Sequence, residues 1–134
     1  MIIIIDYNIC RTKNNLLIGE DCMFVQVKKI TVTEGSSAQV VDRFSKPGII
    51  EEQEGFVDAT VMVKKVRRGE EEVMVQIRWK SEEYWKQWEK SEAHIAGHKA
   101  NRGKPNPEYI VNSEGGLYNV VNVKEAKAKE SIER

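Results

Sequence analysis

The sequence predicts an α+β fold, one antiparallel β-sheet with its helices gathered on a single face. Two observations lead there. Stretches rich in β-branched residues alternate with amphipathic stretches in the order β-α-β-β-α-β, and the two middle strands are joined by the short polar turn Arg67-Arg68-Gly69-Glu70. A chain of 134 residues suits one domain with one core.

Phe24 to Thr33 is the first strand, stopped by Glu34-Gly35. Ser36 or Ser37 then caps a helix in which Val40, Val41 and Phe44 fall at helical spacing, and Pro47-Gly48 ends it. Phe56 to Lys65 and Glu72 to Trp79 form the hairpin. Ser81 opens the next helix, with Glu82 and Glu83 favourably placed in its first turn. Ser91 is a fresh cap for a short helix through His98. After a loop bearing Pro105 and Pro107, Tyr109 to Val111 and Leu117 to Val123 are strand material. This order is the ferredoxin-like split βαβ arrangement.

The organised domain is expected over residues 23–123, with an extension at 1–22 and a charged tail at 124–134. Gly19-Glu20-Asp21 can be encoded by a purine-rich stretch, and Met23 follows at the distance of a start codon from a ribosome-binding site. We therefore expect the native start at Met23. The competing reading is an additional strand built from Met1 to Ile5 and Leu16 to Ile18.

Lysine and arginine total 21 against 21 acidic residues, a formal charge of +0, so the chain lacks the basic excess typical of nucleic-acid binders. No run approaches the roughly 18 apolar residues of a membrane-spanning helix. The block Ile2 to Ile5 is too short for a secretory signal, and the cysteines, Cys10 and Cys22, both precede Met23. A cytoplasmic location follows as the expectation, with neither nucleic acid nor membrane as partner.

Alternation along the hairpin places Val57, Ala59, Val61 and Val63 on one face of the sheet, with Phe56 and Met62 on the other. Val73, Val75, Ile77 and Trp79 lie opposite Met74, Gln76 and Arg78. The second face is thus partly apolar, although helices on one side leave it uncovered. A second copy packed sheet against sheet would cover it, which predicts a homodimer, a dimeric α+β barrel.

The histidines are His94 and His98, on one face of the short helix. They suit a solvated or capping pair, half of a divalent metal site, or a single imidazole ligand to haem iron with Trp85 and Trp88 as pocket wall. Tryptophans at this spacing also serve as plain core. Signatures of nucleophilic hydrolases, P-loops and dinucleotide sites are missing.

The run from Ile77 to Lys99, with its W-x-x-S spacing and His98-Lys99, resembles the antibiotic-biosynthesis-monooxygenase superfamily, and within it the Isd-type haem-degrading monooxygenases. The resemblance extends from Met23 to about Val123 and includes Arg43-Phe44 and Glu54-Gly55-Phe56. It implies that His98 is the axial ligand of the haem iron and that Trp88, ten positions earlier, presses on the porphyrin. His94 falls where the family has no ligand. The family's third residue, an asparagine seven positions before the strand-ending glycine, is replaced by Lys28. A lysine donates hydrogen bonds but accepts none, so its dealings with bound dioxygen differ, and it is available to a propionate instead. Lys99, Arg102 and Lys104 are expected to meet the propionates, although as a bare cluster they would suit a solvated loop.

The implied activity is opening of the porphyrin ring of haem b, which serves as both cofactor and substrate. It requires O2 and an external electron donor such as a reductase, and it yields a bilin and free iron. The alternatives are a cofactor-free monooxygenase of a small aromatic or quinone-like substrate, and a haem-binding dimeric barrel without turnover.

Overall fold

The computed structural model describes residues 22–126. The expected boundary at residue 22, the competing N-terminal strand and most of the charged tail lie outside the described residues. Strand β1 (Phe24–Val32) leads to helix α1 (Ser37–Ser45) and a 3-10 turn (Ile49–Glu52). The hairpin β2 (Phe56–Val63) and β3 (Glu71–Trp79) follows, then helices α2 (Glu82–Lys90) and α3 (Glu92–Asn101), and finally β4 (Ile110–Asn119). The sheet order is β2-β3-β1-β4, with every neighbouring pair antiparallel. This is the expected ferredoxin-like arrangement.

Three local features depart from the sequence reading. First, β4 is one continuous strand where two pieces were expected. It is an edge strand paired only to β1, so the polar run from Asn112 to Gly116 can face water without leaving the ladder. Second, α3 runs past His98 to Asn101. Third, a β-bulge lies between Phe56 and Asp58, which pair with the consecutive residues Trp79 and Arg78. The bulge absorbs Val57 and returns Phe56 to the face of Trp79, where their rings meet edge to face at 5.7 Å. Simple alternation had put Phe56 on the opposite face from Ala59 and Val61.

The helices cover the face that carries Phe24, Ile30, Val32, Val73, Val75 and Trp79. At one end of that face, α1 inserts Val40 among Ile30, Val32, Val73 and Val75. Full burial of each such valine is worth about 1.5–3 kcal/mol. The helix start is fixed from a distance. Ser36 occupies the cap position but its hydroxyl bonds to Thr33 Oγ1 at 2.8 Å, and the Ser37 N–H donates instead to Glu71 Oε1 on β3 at 2.9 Å. Backbone donors of Gly35 and Ser37 hold the Glu71 carboxyl below its ordinary pKa.

At the other end, Trp85 of α2 packs on Phe24 with centroids 5.2 Å apart. Tyr84 lies directly over Gly55, whose φ of +86° suits glycine and whose missing side chain makes room for the ring. Between these two supports the middle rungs of the sheet remain uncovered.

Candidate active site

The uncovered rungs form the floor of a cleft of about 450 Å³, within the usual size of small-molecule sites. Gln26 and Lys28 of β1, Val75 and Ile77 of β3, and Ala59 of β2 make that floor. They are adjacent in register: Gln26 opposite Ile77, Lys28 opposite Val75, Ala59 opposite Ile77. One wall is Arg43 and Phe44 of α1 with Ile49, Ile50 and Glu51 from the 3-10 turn. The other is Trp88 and Glu89 of α2 with Ala93, His94, Gly97, His98 and Asn101 of α3.

The α2–α3 wall exists because the two helices break at Ser91. The Ser91 hydroxyl donates to the Trp88 carbonyl at 2.7 Å, ending α2, and accepts from the His94 N–H at 3.2 Å, starting α3. The expected fresh cap is therefore present, and it brings Trp88 and His94 together across the break, centroids 5.0 Å apart. His94 in turn lies 4.3 Å from His98, edge to face, and the two Nε2 atoms are 3.0 Å apart. The inner ring is anchored twice by Glu89. His94 Nδ1 lies 3.2 Å from the Glu89 carbonyl oxygen, and His94 Nε2 lies 3.3 Å from Glu89 Oε2.

Lys28 and Arg43 give the cleft its charge. They stand 5.9 Å and 5.2 Å from the centroid of the Phe44 ring, and neither forms an ion pair among the described residues. Lys28 keeps solvent on one side, yet its place in the concave floor lowers its pKa from the ordinary 10.5 through desolvation. Repulsion from Arg43 acts in the same direction and Glu89 opposes it. Two cations, one in the floor and one on the wall, next to the apolar side chains of Ala59, Val75, Ile77 and Phe44 make a receiver for a flat apolar ligand with an anionic edge.

Of the residues singled out in the sequence, Trp88, His98 and Lys28 all line this one cleft. Lys99 and Arg102 do not line it. Lys99 is one position and thus about 100° round the helix from His98, Arg102 is the C-cap of α3, and both are exposed. Trp85 is turned to Phe24 and belongs to the core. Among the described residues no cluster of three or more His, Cys, Asp or Glu is arranged to hold a metal ion, and no helix is long and apolar enough to cross a membrane.

Sequence reasoning passed over Gln26 and Glu89, and it noted Arg43 and Phe44 only as part of the resemblance, with no role in a site. A signal for the first existed: Gln26 and Lys28 interrupt the otherwise apolar inward face Phe24, Ile30, Val32 of β1. Glu89 carried none, because its contact with His94 depends on the angle between two helices.

Comparison with known proteins places these features in context. The family description "Antibiotic biosynthesis monooxygenase" matches residues 23–100. The chain is similar to the haem-degrading monooxygenase HmoA of Bacillus subtilis (strain 168), 61% identical over 103 residues that cover 77% of this chain and 95% of that protein. It is 32% identical over 98 residues to a haem-degrading monooxygenase of Shouchella clausii (strain KSM-K16), covering 73% of this chain and 90% of the relative. Its fold superposes on the crystal structure of a Bacillus cereus protein described provisionally as an antibiotic biosynthesis monooxygenase. The TM-score is 0.71 and the identity 51%, over 80% of this chain and 99% of that one.

Proposed function

The chain belongs to the antibiotic biosynthesis monooxygenase family, and from that premise we propose that it is a haem-degrading monooxygenase, opening the porphyrin ring to a bilin and releasing the iron. The observation that carries the reading is that the His98 imidazole and the Trp88 indole line the same wall of a cleft whose floor combines Ala59, Val75 and Ile77 with Gln26 and Lys28. The residues fit haem as substrate. A flat macrocycle matches a slot bounded by sheet and helices, an imidazole is at hand for iron, and unpaired cations stand near for the propionates.

Haem supplies the iron at which O2 reacts and the ring that is cleaved. The chain's own residues do the rest. His98 would hold the iron through its imidazole. Trp88, backed by the His94 ring, would give a bound macrocycle a rigid surface to pack against. Lys28 and Arg43 take the carboxylate edge and set the in-plane orientation, with Lys99 and Arg102 left to the outer surface. Electrons come from an external donor, and a cytoplasmic setting with a reductase as partner suits that need.

The working assembly in this reading is a homodimer. Val25, Val27, Met62, Met74 and Tyr118 lie on the sheet face away from the helices, and their apolar surface favours a second copy of the chain as its cover.

Titration with ferric haemin followed by aerobic ascorbate tests the activity. A Soret band that appears on binding and then fades as a bilin absorbs is the expected result. A band that persists would make the chain a binder without turnover, and no band would favour the cofactor-free monooxygenase.

A further inference from the structure

The two histidines are in contact, and His98 makes the contact through Nε2, one of the two ring nitrogens able to ligate a metal and the one that reaches farther from the helix. Nε2 is the ring nitrogen farther from the backbone, and it lies 3.0 Å from His94 Nε2. His94 is not free to move away. Its Nδ1 is beside the Glu89 carbonyl, its Nε2 is beside the Glu89 carboxylate, its N–H is held by Ser91 Oγ and its ring abuts Trp88.

A carbonyl oxygen only accepts, so His94 Nδ1 carries a proton. If that is its sole proton, His94 Nε2 accepts and His98 Nε2 must donate. If His94 also carries a proton on Nε2, that N–H is shared between His98 Nε2 at 3.0 Å and Glu89 Oε2 at 3.3 Å, with His98 the nearer acceptor. In both arrangements the outer nitrogen of His98 is engaged.

We propose that His94 is a positioning residue that latches His98, holding its Nε2 in a hydrogen bond that haem iron has to displace. The inference rests on the haem reading and adds to it a residue with no ligand role of its own. Because a net hydrogen bond is given up when iron binds, the latch lowers haem affinity by about two- to tenfold.

The test compares wild type with His94→Phe, which keeps a ring against Trp88 but has no nitrogen. His94→Ala provides a second background, and His94→Gln restores a side-chain hydrogen bond. Ferric haemin titrations are expected to show binding about two- to tenfold tighter in the Phe and Ala variants, with Gln close to wild type. In chain prepared without haem, the ring nitrogen NMR shifts of His98 are expected to move in the Phe variant.

Equal or weaker haemin binding in both Phe and Ala variants, or unmoved His98 nitrogen shifts, overturns the latch while leaving haem binding intact. Failure of the wild-type chain itself to bind haemin is a different result, and it removes the haem reading and the latch together.

Discussion

Lys28 carries opposing demands. Desolvation and Arg43 both disfavour its charge, so its pKa in the folded chain lies below the ordinary 10.5. The unfolded chain then binds more protons between the lowered value and 10.5, and stability rises with pH across that window. Lys28→Met is therefore expected to raise Tm at neutral pH, with the gain shrinking as pH approaches 10.5. The same change is expected to weaken binding of a dicarboxylate porphyrin more than that of its dimethyl ester, measurable by paired titrations. Trp88 and His98 separate differently. His98→Ala should abolish the ferric haem spectrum. Trp88→Ala should retain binding but lose degradation by about tenfold or more, since a rigid packing surface can impose about 1–5 kcal/mol of strain on a bound substrate. Wild-type rates of haem loss in Trp88→Ala would refute the role given to the indole.

At the level of elements, the break between α2 and α3 governs the site more than any one helix does. Ser91 both closes α2 and opens α3. Ser91→Ala is expected to lower stability by about 1 kcal/mol in urea unfolding, and to loosen the Trp88–His94 contact, which near-ultraviolet circular dichroism would detect. The turn into β2 is a second control point. An alanine Cβ at Gly55 would collide with the Tyr84 ring on a backbone with φ of +86°. Gly55→Ala should thus lose about 2 kcal/mol or more, from overpacking and left-handed strain acting together.

Across the whole molecule, the sheet has one face built into the core and one left mixed. On the uncovered face Arg78 makes two hydrogen bonds to Asp58, at 2.7 Å and 2.6 Å, through a half-exposed pair. Arg78 holds the Asp58 carboxyl below its ordinary 3.8. The stability this lends is present above 3.8 and is lost as pH falls through the lowered value, and exposure limits it to about 1 kcal/mol. Charge placed on the same face at Val27, opposite Gln76, tests the assembly. Val27→Glu is expected to convert a dimer into a folded monomer in light scattering, and a wild-type chain already monomeric at micromolar concentration would sink the dimer.

What residue order decided alone is the sheet with its one-sided helices, because periods of 2 and 3.6 and capping residues act over a few positions. That Trp88 and His98 belong to one cleft was legible only through the resemblance, whose ten-position spacing between tryptophan and histidine they match. The bulge at Val57, the capping of α1 by Glu71, the turning of Trp85 into the core and the contacts of Glu89 were not legible. Each depends on how separate elements pack against one another, and packing answers to volume and angle in three dimensions. The cleft itself is of that kind: it is the space left where α1 and α2 support opposite ends of one sheet.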